Sequence, residues 1–140
     1  MDSISLKMPV NIKAKLTEKL REKMIADLDN GINRAQMEIQ QIDLDEKRAL
    51  QANEKPEMSV TDIQRHNMIR QRYGEERQKR QEYIAQAQKR REDAQKLALG
   101  AEILQGTLER QVEVHVGDDM RELMNVEVLV EDDKVIAIRS

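Results

Sequence analysis

Hydrophobic and polar positions alternate with two different periods along this chain. From Thr17 to about Ala52, apolar residues recur at Ile25, Leu28, Ile32, Ala35, Ile39, Ile42 and Ala49. The steps alternate between three and four, and Glu46 occupies the one skipped position. This is a heptad pattern, which places one narrow apolar stripe along a long helix. Thr17 is suited to the N-cap, and Glu18 puts a negative charge in the first turn. Gly31 costs roughly 1 kcal/mol relative to Ala inside a helix, so a kink is expected there.

The run Asn53-Glu54-Lys55-Pro56-Glu57-Met58-Ser59 ends the pattern, because proline removes a helical hydrogen bond and clashes with the preceding turn. Thr61 followed by Gln64 reads as a capping box that opens a second helix. Gly100 supplies a stop after Lys96 or Leu97. The expected layout is a helix over 17–52, a loop over 53–60 and a helix over 61–97. Each helix is about 36 residues, or ~54 Å, and the short loop folds the two into an antiparallel coiled-coil hairpin. The second helix has the weaker seam. Its heptad frame is Ile69, Tyr73, Glu76, Arg80, Tyr83, Ala87, Arg90, Ala94 and Leu97, with three charged positions. Unpaired burial of these charges would cost several kcal/mol, so the stripe must be partly open, paired across the hairpin, or read in another frame.

The period then changes to two. Val112, Val114 and Val116 share one face and alternate with Glu113 and His115. Val126–Val130 and Val135–Ile138 are β-rich and flank Asp132-Asp133, the pattern of a β-hairpin. Ile4, Leu6 and Met8 also alternate, making the N-terminal segment a further strand. The fold class expected is α+β. The helical hairpin over 17–97 joins a small antiparallel β sheet or partial barrel formed by residues 1–16 and 98–140. A β module of roughly 55 residues has a marginal core, which favours packing against another surface or self-association.

Composition narrows the range of functions. The chain has 140 residues, 36% of them charged, and its only aromatic residues are Tyr73 and Tyr83. So few rings argue against a large enzyme-like core or pocket. Without Cys there are no disulfides, thiolate metal sites or Cys nucleophiles. No stretch has the length and apolarity of a membrane span, and the N-terminus has no signal-peptide core, so a cytoplasmic location is expected. Net charge is −3 but unevenly spread. Residues 61–97 hold ten basic and six acidic side chains, whereas residues 98–140 hold four and ten. The pattern is a basic helical arm joined to an acidic β module.

The terminal segments also carry a resemblance. Leu99-Gly100-Ala101-Glu102-Ile103, Gly106, Val112-Glu113-Val114-His115-Val116-Gly117-Asp118, Glu127-Val128-Leu129-Val130 and Asp133-Lys134-Val135-Ile136-Ala137-Ile138-Arg139 resemble the YlqD family of bacterial proteins. Met8-Pro9-Val10-Asn11-Ile12-Lys13, followed by Leu16-Thr17-Glu18, is similar to that family's lead into its first helix. The chain departs from the pattern at Asp118-Asp119-Met120, where an aromatic residue is expected after the acidic pair. The resemblance implies a coiled-coil-plus-β fold and a cytoplasmic location; it brings no activity.

Candidate chemistry is sparse. Gly117-Asp118-Asp119 superficially matches a Mg²⁺-holding acidic pair, but metal chemistry needs further carboxylates, and a turn is the simpler reading. His115 with Glu113, Asp118, Asp119 and Glu127 is a weak cation candidate, and His66 has no ligand partner at metal spacing. Ser and Thr sit at caps, turns and termini, and the glycines do not cluster into a phosphate loop. No catalytic, cofactor or metal site is assigned. Met120, Leu123 and Met124 fit a short amphipathic turn capping the sheet.

The basic stretches of the second helix raise phosphate contact as a possibility, through Arg77, Lys79, Arg80, Lys89, Arg90 and Arg91. These side chains spread around the helix among Glu75, Glu76, Glu82, Glu92 and Asp93, which also fits a solvated face laced with i,i+4 pairs. No sequence feature specifies a reaction. The reading is a non-enzymatic coiled-coil interaction or scaffold protein with unknown protein partners, self-associating through the β module or coiled coil. The alternative is an RNA- or ribosome-associated factor that uses the basic helix.

Overall fold

A computed structural model describes residues 1–140. Seven elements follow one another: β1 (Ser3–Lys15), α1 (Glu18–Ala52), α2 (Val60–Lys96), β2 (Glu102–His115), α3 (Met120–Met124), β3 (Val126–Glu131) and β4 (Lys134–Arg139). They divide into a sheet unit, residues 1–23 and 96–140, and a hairpin unit, residues 24–95. The α+β class and both long helices agree with the sequence pattern.

In the sheet unit the strand order is β2-β1-β3-β4. β1 runs antiparallel to β2 along its whole length and parallel to β3 over Val10–Ala14, while β3 and β4 form an antiparallel hairpin. The sheet is therefore mixed and open, where the sequence pointed to antiparallel strands throughout. The parallel pair arises because the chain leaves β2 beside Ser3 and passes through α3, which packs on β1, before re-entering the sheet beside Val10. Crossover connections of this kind are what parallel neighbours require.

Alternation assigns the faces. Leu6, Met8, Val10 and Ile12 share one face of β1 with Val112 of β2 and Val126 and Val128 of β3. Met8, Val10 and Val126 are buried, and Leu16, at 2% exposure, is the most enclosed large side chain. The opposite face carries cross-strand polar contacts, Gln111 Nε2 to Ser5 Oγ at 2.7 Å and Thr107 Oγ1 to Asn11 Oδ1 at 3.2 Å. One residue of β2, Gln105, is extra between the pairs Ile12–Gly106 and Lys13–Leu104, a bulge at the strand's glycine.

Asp132 and Asp133 link β3 to β4 with positive φ at both residues, 46° and 70°. That is the backbone of a two-residue type I′ hairpin turn, whose twist matches its strands. Thr17 Oγ1 accepts a hydrogen bond from Leu20 N–H at 3.1 Å and donates one to Asp132 Oδ1 at 2.7 Å. One hydroxyl thus caps α1 and holds the turn. Arg139 Nη2 lies 3.0 Å from Glu127 and 2.7 Å from Glu102. It joins β4, one edge of the sheet, to the start of β2, the other edge.

In the hairpin unit, all eight seam positions of α1 named above, from Ile25 to Ala49, are buried or half-buried. α1 is unbroken through Gly31. α2 begins two residues earlier than a Thr61 cap would allow, and its capping box is Ser59 with Asp62. Asp62 N–H donates to Ser59 Oγ at 3.1 Å, and Asp62 Oδ2 accepts from Ser59 N–H at 3.1 Å. The Ser59 bonds, with Lys55 beside them, hold the Asp62 carboxyl below its ordinary pKa. His66 Nε2 sits 2.9 Å from the Asn53 carbonyl and secures the loop.

Candidate interaction surfaces

The inward face of α2 is charged for a reason visible only across the hairpin. Arg77 Nε donates to Asp43 Oδ1 at 2.7 Å, and its Nη2 binds Glu46. Arg80 Nε lies 3.2 Å from Glu38 Oε2 and its Nη1 lies 2.5 Å from Glu76 Oε2. Arg91 Nε lies 2.8 Å from Asp29 Oδ1. Carboxylates of α1 thus meet guanidinium groups of α2 along the hairpin in antiparallel order. These hydrogen-bonded carboxylates raise the pKa values of Arg77 and Arg80, and Arg80 and Lys79 lower that of Glu76.

The six basic residues singled out from sequence therefore separate into two groups. Arg77, Arg80 and Arg91 are engaged across the hairpin, and Lys79 lies 3.2 Å from Glu76 on its own helix. Lys89 and Arg90 are exposed and make no ion pair. The seam frame also shifts. Ile84 and Arg91 are half-buried where the heptad frame put Tyr83 and Arg90, and Leu97 lies beyond the helix. Tyr73 to Ile84 is eleven residues, three full turns, so the inward stripe stays in line on a straight helix where strict heptads would drift.

The sequence left pairing across the hairpin as one of three ways to place the charged seam, beside an open stripe and another frame, and did not identify the acidic partners. Asp29, Glu38 and Asp43 lie one residue or so off the apolar stripe of α1, which is the one signal that could have found them. It also missed the contact of Tyr83, 44% exposed, with Gly31. A Cβ placed on Gly31 would stand 2.1 Å from the Tyr83 hydroxyl. This contact lines a notch of about 400 Å³ on the hairpin, together with Arg34, Ala35, Glu38, Lys79 and Arg80.

The sheet unit has its own groove of about 330 Å³. Ile12, Ala14, Leu20 and Val130 contribute apolar surface, Lys19 and Lys23 line it from α1, and Asp132 and Asp133 line it from the β3–β4 turn. The edge strand β4 exposes Val135, Ile136 and Ile138, and β2 exposes Leu104 and Leu108. These apolar side chains lie on the two edge strands of the sheet, where unpaired backbone groups also stand open to another chain.

The remaining candidates have local partners. Asp118 Oδ2 accepts the His115 backbone N–H at 2.7 Å, closing the turn at Gly117, whose φ is +100°. Asp119 caps α3 by accepting from Arg121 N–H at 2.9 Å. Glu127 lies 2.7 Å from Lys13, and this contact, with Arg139 beside it, lowers its pKa. Glu113 and Asp118 each approach the His115 ring at 3.7 Å, but no three His, Asp or Glu side chains converge in metal-ligand geometry. No helix is long and apolar enough to cross a membrane.

A crystal structure of a protein of unknown function from Synechococcus sp. WH 8102 superposes with a TM-score of 0.91 and 21% sequence identity, covering 100% of both chains. At that identity the likeness shows the fold. No curated protein is significantly similar to the chain. The model of the YlqD protein family matches residues 4–139.

Proposed function

For this chain, which belongs to the YlqD family, we propose the role of a non-enzymatic interaction protein, a scaffold whose hairpin and sheet units present surfaces to other proteins. The observation that carries this reading is the pairing of Arg77, Arg80 and Arg91 with Asp43, Glu46, Glu38 and Asp29. Three of the ten cations of α2 are committed to carboxylates of α1, so the inward face of the hairpin is neutralised internally and offers these guanidinium groups to no polyanion. What stays open is apolar surface on the sheet unit, at Leu104, Leu108, Val135, Ile136 and Ile138. Such surface fits a protein partner better than a phosphate backbone.

One observation favours the RNA-associated alternative. Lys89 and Arg90 stand exposed and unpaired, as do Arg65 and Arg72. The tagged full-length protein, used as bait in extract of its own cells with and without nuclease, separates the two readings. Partners retained after nuclease support the interaction protein. Capture that disappears with nuclease and falls steeply with salt replaces it with the RNA reading.

A further inference from the structure

We propose that the outer flank of α2 is a self-association surface, where a second copy of this chain docks antiparallel against the same flank. The proposal deepens the interaction reading by naming the partner for one surface. Arg65, Arg72, Glu75 and Glu82 are all exposed, and none has an opposite charge within ion-pair distance in its own chain. At 100° per residue the four fall on one side of α2, away from the inward stripe of Asp62, His66, Ile69 and Tyr73. Arg65 and Arg72 are seven residues apart, about 10.5 Å along the axis, and so are Glu75 and Glu82.

This order of charges is self-complementary. Lay a second α2 antiparallel on the first, with a two-fold axis level with the peptide between Tyr73 and Gly74. Arg65 then faces Glu82 of the other copy, Arg72 faces Glu75, and the two-fold repeats both pairs. A contact between identical surfaces must pair unlike groups on either side of its axis, and this one does so four times. Either arginine pair aligned with itself would instead repel.

The same register gives the exposed apolar surface a cover. Met68 is 70% exposed, beside a groove of about 460 Å³ lined by Thr61, Gln64, Arg65, Met68, Ile69 and Arg72. In the docked pair Lys79 of the other copy lies opposite Met68. Its methylene stem covers the thioether while its ammonium group stays in water. An RNA partner would use the arginines but leave Glu75 and Glu82 facing phosphate. A second copy uses all four charges.

The test is sedimentation equilibrium of the full-length protein at low and high salt. The wild type is expected to dimerise and to weaken as salt rises. Arg65→Glu with Arg72→Glu, and separately Glu75→Arg with Glu82→Arg, should each weaken self-association at least about tenfold, since four attractions become repulsions. An equimolar mixture of the two variants, and the fourfold exchange in one chain, should recover it. The fourfold exchange keeps the charge composition and so controls for folding, with helicity checked by circular dichroism. A monomeric wild type overturns the proposal, as do charge-reversed variants that associate as tightly as the wild type or a mixture that does not recover. None of these results touches capture of other proteins through the sheet unit, so failure here is distinguishable from failure of the interaction reading.

Discussion

The Tyr83 hydroxyl occupies the space beside Gly31 where any other residue would carry its Cβ. The glycine, unfavourable by helix propensity, lets an aromatic side chain of α2 lie against the backbone of α1. Gly31→Ala should gain about 1 kcal/mol of helix propensity and lose most of it by displacing the ring. Close to neutral in the wild type, the substitution should become stabilising by about 1 kcal/mol in a Tyr83→Ala background. Urea denaturation of the four members of this double-mutant cycle measures the coupling. Equal effects of Gly31→Ala in both backgrounds would show that the contact has no energetic weight.

Leu16 links the end of β1 to the start of α1 and is the most enclosed large side chain of the sheet unit. Its backbone N–H donates to the Ala101 carbonyl at 2.7 Å, so it has little room to readjust. Leu16→Ala should cost about 3 kcal/mol, read as a lower denaturant midpoint. A loss below about 1 kcal/mol would mean that the site collapses freely around the smaller residue.

Thr17 serves two partners with one hydroxyl, so its replacement should cost more than an ordinary cap. Thr17→Ala is expected to lose about 1.5 kcal/mol, and Thr17→Val, nearly isosteric, about as much. Asp132→Gly, which accepts the positive φ of the turn, should remove the Thr17 bond while leaving the cap intact, at about 1 kcal/mol. Additivity of Thr17→Ala and Asp132→Gly would show that the two groups do not interact.

Salt should weaken the hairpin measurably. Arg77 faces both Asp43 and Glu46, so Arg77→Ala leaves two carboxylates close together without their cation. At low ionic strength the expected loss is about 1 kcal/mol, shrinking as salt screens the exposed part of the network. Thermal melts at two ionic strengths test this, and a loss independent of salt would assign the effect to packing.

Acid should also destabilise the fold, with a definite sign. Asp62, Glu76 and Glu127 are all held below their ordinary values of 3.8, 4.5 and 4.5 by the bonds described above. A depressed carboxyl stabilises the folded state above its unfolded pKa, and that contribution is lost as pH falls through the folded one. Stability should be level near neutrality and decline below about pH 4. Glu127→Gln should flatten that decline while lowering stability at neutral pH. An unchanged acid profile in this variant would remove Glu127 from the cause.

Much of the architecture was legible in the chain because local rules specify it. The α1 stripe, the loop around Pro56 and the turn at Asp132-Asp133 all follow from period, proline and turn chemistry acting over a few residues. The α2 cap was displaced by two residues because Ser59-Asp62 and Thr61-Gln64 both satisfy the same short pattern. Only the first places its acid where Lys55 also reaches it. The candidate basic surface was legible as composition alone, since which cations stay free depends on what the partner helix sets opposite them.

By itself, then, the sequence determined the number, kind and approximate limits of the long helices and which strand faces are apolar. Those properties depend on neighbours three, four or two positions away. Tertiary structure decided the rest. It set β3 parallel to β1, moved the α2 stripe onto Ile84 and Arg91, and committed Arg77, Arg80 and Arg91 to carboxylates some 31 to 62 residues distant. Such pairings depend on how the chain crosses itself, which no local period records.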